Sequence, residues 1–164
     1  MSVKAGEILK GRCTCGAVQF RLEGPPMVVH ACHCTWCQRE TGTAFAHNAM
    51  IEMERVFLEQ GEPETIDTPS ASGKGQKVVR CPHCKVAVWS HYPTLGTHAA
   101  FVRVGTLEQP ARLPPDAHIF TESKVPWLTL PEGIPAFPIY YDRESFLSAE
   151  VLARQTAVWQ KANG

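Results

Sequence analysis

A surplus of charge of either sign is missing from this 164-residue chain, in which Lys plus Arg and Asp plus Glu stand at 16 each. The fold as a whole therefore has no electrostatic reason to bind nucleic acid or an anionic membrane surface. Also missing is any apolar run long enough to span a bilayer. The opening Met1-Ser2-Val3-Lys4-Ala5-Gly6-Glu7 has no apolar core of signal-peptide length, which makes a cytoplasmic location the expectation. Internal repeats and low-complexity tracts are absent, and long helical patterns are scarce. Prolines recur between Gln109 and Pro138, so this stretch is expected to be an ordered coil laid over a sheet, anchored by Trp127. What remains, 44% hydrophobic and 20% charged, suits one ordinary globular domain with a real core.

Seven cysteines stand out against that plain background. In a reducing compartment, thiols crowded into short pairs point to metal or redox chemistry and not to a disulfide framework. Cys13-x-Cys15 and Cys81-x-x-Cys84 each sit on a hairpin-like turn, and together they supply four thiolates, the donor set of a closed zinc site. Gly16 fits a turn with positive φ that points backbone amides back at sulfur. Such a site would staple the first strand to the central hairpin, its rivals being buried free thiols or a redox pair.

A second set, Cys32-His33-Cys34-Thr35-Trp36-Cys37, has three thiols in one tight turn. They can wrap one ion and leave a fourth position. Either His30 or His33 closes it, giving a structural site, or water or a substrate thiol takes it, giving a reactive one. His33 reads equally as a ligand, a general base or a solvent-facing turn residue. Trp36 either walls a substrate site or caps the turn. His47, His91 and His98 carry no ligand spacing and read as ordinary strand or loop residues, while His118 reads as structural, with packing on Trp127 as its place near the pocket.

Short strands dominate the rest. Ala17 to Leu22 alternates at period two, Met27 to His30 runs into the three-cysteine turn, and Arg39 to Thr43 reads as a small-residue loop before a strand over Ala44 to Ile51. Val56 to Leu58, Glu64 to Ile66, Lys77 to Arg80, Val86 to Trp89 and Ala99 to Val104 complete the set, and Ser70 to Gly75 is a flexible tip with no assigned role. Asp142 to Lys161 reads as one helix, N-capped by Asp142, with Phe146, Ala149, Ala153 and Ala157 on its packed face.

Gly-x-Cys13-x-Cys15-Gly-Ala-Val-x-Phe, Cys32-His-Cys34-x-x-Cys37 with Thr41-Gly42, and Cys81-x-x-Cys84, in this order, resemble the glutathione-dependent formaldehyde-activating enzyme family, which includes centromere-protein-V-like proteins. Val104-Gly105-Thr106-Leu107, Pro114-x-x-x-His118-Ile119 and Ser123-Lys124-x-Pro126-Trp127 extend the likeness, which spans about residues 8 to 138. The resemblance implies an all-β, tent-like fold of small, mainly antiparallel sheets meeting at a zinc knuckle. The zinc-binding β domain is then 1–141, with 142–164 as a C-terminal helical extension. It implies a structural zinc on Cys13, Cys15, Cys81 and Cys84, and a second, labile zinc on Cys32, Cys34 and Cys37, which also carry the chemistry. The implied reaction condenses a small-molecule thiol, glutathione in the namesake, with formaldehyde or another small aldehyde, as a carbon-sulfur lyase. Two residues depart from the family pattern. Lys85 follows Cys84 where glycine is usual, and Gln38 stands where a basic residue follows the third cysteine, leaving Arg39 alone. Competing readings are a non-catalytic zinc interaction module and a thiol redox enzyme similar to methionine-R-sulfoxide reductases. Homo-oligomerisation is left open.

Overall fold

Alternation at period two builds the first strands. In the computed structural model, which describes residues 3–164 and so leaves Met1 and Ser2 of the opening segment outside, β1 (Ile8–Arg12) buries Leu9 and β2 (Gln19–Glu23) buries Phe20 and Leu22. They pair antiparallel, and β2 pairs in turn with β5 (Val56–Gln60) to complete a three-stranded sheet. Gly11 is required because the Phe20 ring lies across it, and a Cβ there would come within 2.4 Å of the ring. Phe20 meets Trp89 of the second sheet edge to face, with centroids 5.5 Å apart. That contact lies in the main apolar core, with Leu22, Ile51, Val88 and Val102.

The second sheet has seven strands, in the order β10 (Ala117–Ile119), β3 (Val28–Cys32), β4 (Ala46–Glu52), β9 (Ala99–Arg103), β8 (Ala87–His91), β7 (Gln76–Arg80) and β6 (Glu64–Thr68). The all-β expectation with a C-terminal helix holds. Neighbouring strands are antiparallel except β10 and β3, which run parallel. The proline-rich coil thus supplies an edge strand as well as a cover. Burial along the whole of β3 follows from its place inside this sheet, covered on both faces.

The helices correct the sequence reading twice. Arg39 to Thr43 is mostly not loop, because α1 (Thr35–Thr41) runs from an N-cap at Cys34 to a left-handed Gly42 at φ 67°. None of its residues is fully buried, so it has no apolar stripe for periodicity to reveal. The C-terminal helix is two helices, α2 (Arg143–Phe146) and α3 (Ala149–Asn163). Asp142 caps the first as expected, but Ser148 caps the second by accepting from the Val151 amide, and a second cap needs a break. Ala149, Ala153 and Ala157 are exposed. The inward face carries Gln155 and Val158, with Val158 packed among Met27, Val28, Met50 and Ala99. Among the described residues no helix is long and apolar enough to cross a membrane.

Trp127 does not anchor the coil, being 74% exposed. Its turn closes on itself, the Lys124 ammonium donating to the carbonyls of Val125 and Leu128, which leaves the indole outside. Phe137 does the anchoring instead, with Phe146 and Tyr141 each 5.4 Å away between centroids.

Helix α3 is tied to the sheet by one charged clamp. Arg154 holds Glu52 through Nε and Nη2, both at 2.7 Å, and Nη2 also donates to the Pro25 carbonyl at 3.0 Å. Burial pushes the Glu52 carboxyl up, but Arg154 outweighs it and the net shift is downward. A depressed carboxyl stabilises the fold above its unfolded pKa and loses that contribution as pH falls through its folded pKa. Arg154→Met should cost about 2 kcal/mol at neutral pH. In urea titrations, the stability gap between the parent and Glu52→Gln should narrow as pH drops through the carboxylate range, whereas a pH-independent gap would show that the clamp contributes nothing.

Candidate functional site

Two hairpins bring four of the thiols together. Cys13 leaves β1 and Cys81 leaves β7, so the loop between β1 and β2 in the small sheet meets the loop between β7 and β8 in the large one. The sulfurs of Cys13, Cys15, Cys81 and Cys84 all lie within 4.8 Å of one another. Cys13 and Cys15 are 3.5 Å apart, and Cys15 and Cys81 3.7 Å. Four sulfurs at 2.3 Å from one tetrahedral zinc ion would sit about 3.8 Å from each other, so this donor set fits zinc. Backbone amides are aimed at the sulfurs as a positive-φ Gly16 should allow, and its φ is 79°. Val18 donates to Cys13 at 3.3 Å. Amides of Cys15 and Val86 draw the Cys84 thiol down to about 6. Lys85 adopts a φ of 62°, the conformation glycine would take there, at a backbone cost of about 1–2 kcal/mol. Its ammonium meets Glu64 at 2.8 Å.

The other three thiols meet where β3 turns into α1. Cys32, Cys34 and Cys37 have their sulfurs within 4.8 Å of one another, and the Cys34 sulfur caps α1 by accepting from the Cys37 amide at 3.3 Å. Contacts from Cys32 and Cys37, with the Cys37 and Trp36 amides, hold Cys34 far below the usual thiol range. The Cys34 contact pushes Cys32 up. Cys32 pulls Cys37 down, but Cys34 and burial outweigh that and raise Cys37 to about 12. Unaided, the trio therefore favours one thiolate and two thiols. Three thiolates at this spacing need a cation.

No imidazole joins either group among the described residues, which corrects the suggestion that His30 or His33 completes the trio. His33 is neither at the surface nor beside the sulfurs, because strand alternation turns it to the opposite face of the sheet from Cys32. It is fully buried with Nε2 2.9 Å from Nδ1 of His118. His118 thus packs on His33 and not on Trp127. His47 lies across Ala31 from His118 on that same back face. His91 ends β8 in a structural role, with Nδ1 2.7 Å from the Ala99 carbonyl oxygen, and His98 sits exposed in a short helical turn.

On the cysteine face, register sets His30 opposite Asn48 and Asn48 opposite Arg103. His30 Nε2 is 2.7 Å from the Tyr141 hydroxyl, and burial lowers its pKa to about 4, so it is uncharged at neutral pH. Arg103 donates to Asn48 Oδ1, which leaves the amide N–H of Asn48 as the group free to face a ligand. Arg103 also holds Glu40 of α1 at 2.7 Å, and Arg80 holds the other oxygen of Glu40. Gln38 clamps α1 from its other side, donating to the carbonyls of His33 at 2.7 Å and Ser123 at 2.9 Å. The residue that stands in place of a base is therefore a backbone tie. Arg39 instead lies over the Trp36 ring at 5.7 Å.

Cys32, Cys34 and Cys37 line a cavity of about 470 Å³. Trp36 walls it, and so does the tip from Ser70, which the sequence left without a role. Asn48, Arg143, Gln155 and Trp159 also line it and were not foreseen. A polar Asn48 beside His47 in the largely apolar strand Ala46 to Ile51 was the one available signal, since the other three depend on where the C-terminal helices dock. A neighbouring depression of about 760 Å³ shares Trp36, Tyr92 and much of the tip from Ser70, including Lys74, and among the described residues no cysteine lines it. Of the four-thiol set, Cys13 borders a groove with Arg12, Thr14 and Glu108.

An all-β body with a four-sulfur knuckle between its sheets and a three-sulfur group facing a cavity defines a cysteine-rich protein with two places able to hold metal. The chain belongs to the glutathione-dependent formaldehyde-activating enzyme family, whose model matches residues 8–123. A Halomonas elongata protein named "Putative glutathione-dependent formaldehyde-activating enzyme" is 27% identical over 130 residues, covering 75% of this chain and 81% of the relative. A crystal structure of a Rhodobacter sphaeroides protein aligns with a TM-score of 0.45 at 20% identity, covering 60% of this chain and 87% of that one.

Proposed function

We propose that the protein is a zinc-dependent enzyme of the carbon-sulfur lyase class that joins a thiol such as glutathione to formaldehyde or another small aldehyde. One observation carries this reading. Cys32, Cys34 and Cys37 all line a cavity, whereas the four-sulfur group staples hairpins from two sheets. Family membership and the name of the Halomonas elongata relative support it. A reducing, cytoplasmic setting suits seven free thiols.

Cys13, Cys15, Cys81 and Cys84 would close a structural zinc site, and Cys32, Cys34 and Cys37 would hold a second, labile zinc with one position left for a reactant. Zinc supplies Lewis acidity there, which lowers the pKa of an incoming thiol or polarises a carbonyl. The reaction forms one carbon-sulfur bond from a sulfur lone pair and breaks the π bond of the carbonyl. The thiol proton ends on the new hydroxyl. Asn48, its Oδ1 committed to Arg103, presents an N–H donor to the developing oxyanion. His30 is uncharged and can accept a hydrogen bond but stores no proton at neutral pH. Arg103 brings positive charge near Cys37. A closed, non-catalytic module needs a fourth protein ligand, and none of the described imidazoles joins the trio.

The two clusters should respond differently to substitution. Cys81→Ser should lose several kcal/mol of fold stability, whereas Cys34→Ala should melt close to the parent yet lose condensation activity. Calorimetry and an assay for the hydroxymethyl thioether read both, and a Cys81→Ser protein that melts like the parent but is inactive would sink the division of labour. Asn48→Ala should lower kcat by roughly a hundredfold with bound metal unchanged. Full activity in that variant would remove Asn48 from the mechanism.

A further inference from the structure

The family match ends at residue 123, yet part of the cavity wall comes from beyond it: Tyr140, Arg143, Gln155 and Trp159. These residues change what the cavity can hold. Its other walls include Met50, Leu95, Phe101 and Phe120, so most of the surface facing the thiols is aliphatic or aromatic. Formaldehyde, with two heavy atoms, would fill a small fraction of about 470 Å³ and touch few of these side chains.

The charge at the cavity is one-sided. Arg143 and Lys74 line it, and among the described residues no carboxylate does. Arg143 donates from Nε to Gln155 Oε1 at 3.0 Å, and Gln155 is itself 5% exposed, so a buried amide fixes the guanidinium plane. Among the described residues neither Nη atom of Arg143 has a protein partner, and Arg143 makes no ion pair. A planar fork held by its Nε, open at its two Nη atoms and set beside an apolar wall, matches a carboxylate on an apolar body.

We infer that the cavity takes an organic acid with an apolar body of about ring size, its carboxylate on Arg143 and its body against Phe101 and Trp159. That this molecule is one of the two reactants, with its thiol or carbonyl end toward Cys32, Cys34 and Cys37, rests on the function proposed above. The carboxylate fork and the apolar wall do not.

Calorimetry on the full zinc-loaded chain with 3-phenylpropanoate, 3-phenylpropan-1-ol and acetate separates the contributions. The aromatic acid should bind at least about tenfold more tightly than either the alcohol or acetate. Arg143→Gln should remove most of that advantage while leaving the alcohol unchanged, Arg143→Lys should restore only part of it, and Trp159→Ala should weaken acid and alcohol together. Circular dichroism checks that each variant is folded. Equal binding of acid and alcohol, indifference to Arg143→Gln, or no binding of any probe would overturn the assignment. Turnover of 2-sulfanyl-3-phenylpropanoate with formaldehyde would identify the acid as the thiol, and turnover of glutathione with 4-formylbenzoate would identify it as the aldehyde. Arg143-dependent binding without either condensation would overturn the proposed reaction and leave the pocket assignment standing. Condensation that ignores Arg143 would do the reverse.

Discussion

Sulfur crowding is the constraint on which the rest of the structure depends. Seven thiols are gathered into two groups whose members lie within 4.8 Å, closer than thiolates can stand without a compensating cation. The chain gathers the two groups in different ways. One group needs the hairpin turns of two separate sheets to meet, and the other needs the end of β3 to pass directly into α1. Backbone amides already aimed at Cys13 and Cys34 show the polypeptide arranged around sulfur as an acceptor.

The two groups differ in what surrounds them, and that difference is mechanical before it is chemical. The four-sulfur group holds the small sheet to the large one beside a core that already packs Phe20 against Trp89, so loss of a sulfur there loosens a junction. The three-sulfur group is held from outside. Glu40, gripped by Arg80 and Arg103, and Gln38, bonded to two carbonyls, fix the short helix that carries Cys37. A helix of seven residues with nothing fully buried would not hold its place on propensity alone. Arg103 links this anchoring to the pocket, since the same guanidinium orients Asn48.

Most strand positions, the two cysteine sets and the positive φ at Gly16 were legible because each follows from local chemistry (alternation, spacing and turn geometry), whereas β1 and β10 lie outside the strands that the sequence marks. The strained Lys85 was visible only through the family resemblance, as a residue standing where that pattern has glycine. The placement of the histidines was not. His33 sits between two cysteines in sequence, yet strand alternation sends it to the back face with His118 and His47, a partnership set by register across three strands. Helix α1 escaped because a cysteine sulfur serves as its cap, and the break in the C-terminal helix turned on the single hydroxyl of Ser148. Arg143, Gln155 and Trp159 gain meaning only when the end of the chain docks over the cavity, through Val158 in the sheet face and Arg154 on Glu52.

The central claim is that one sulfur group is closed around its metal and the other is open to a reactant. Zinc content of freshly purified protein, measured before and after a mild chelator and paired with glutathione binding on both samples, tests it most directly. Two zinc ions per chain, one for each sulfur group, should fall to one, with thiol binding altered by the loss. Zinc that resists the chelator entirely, with no thiol binding in either sample, would contradict the account.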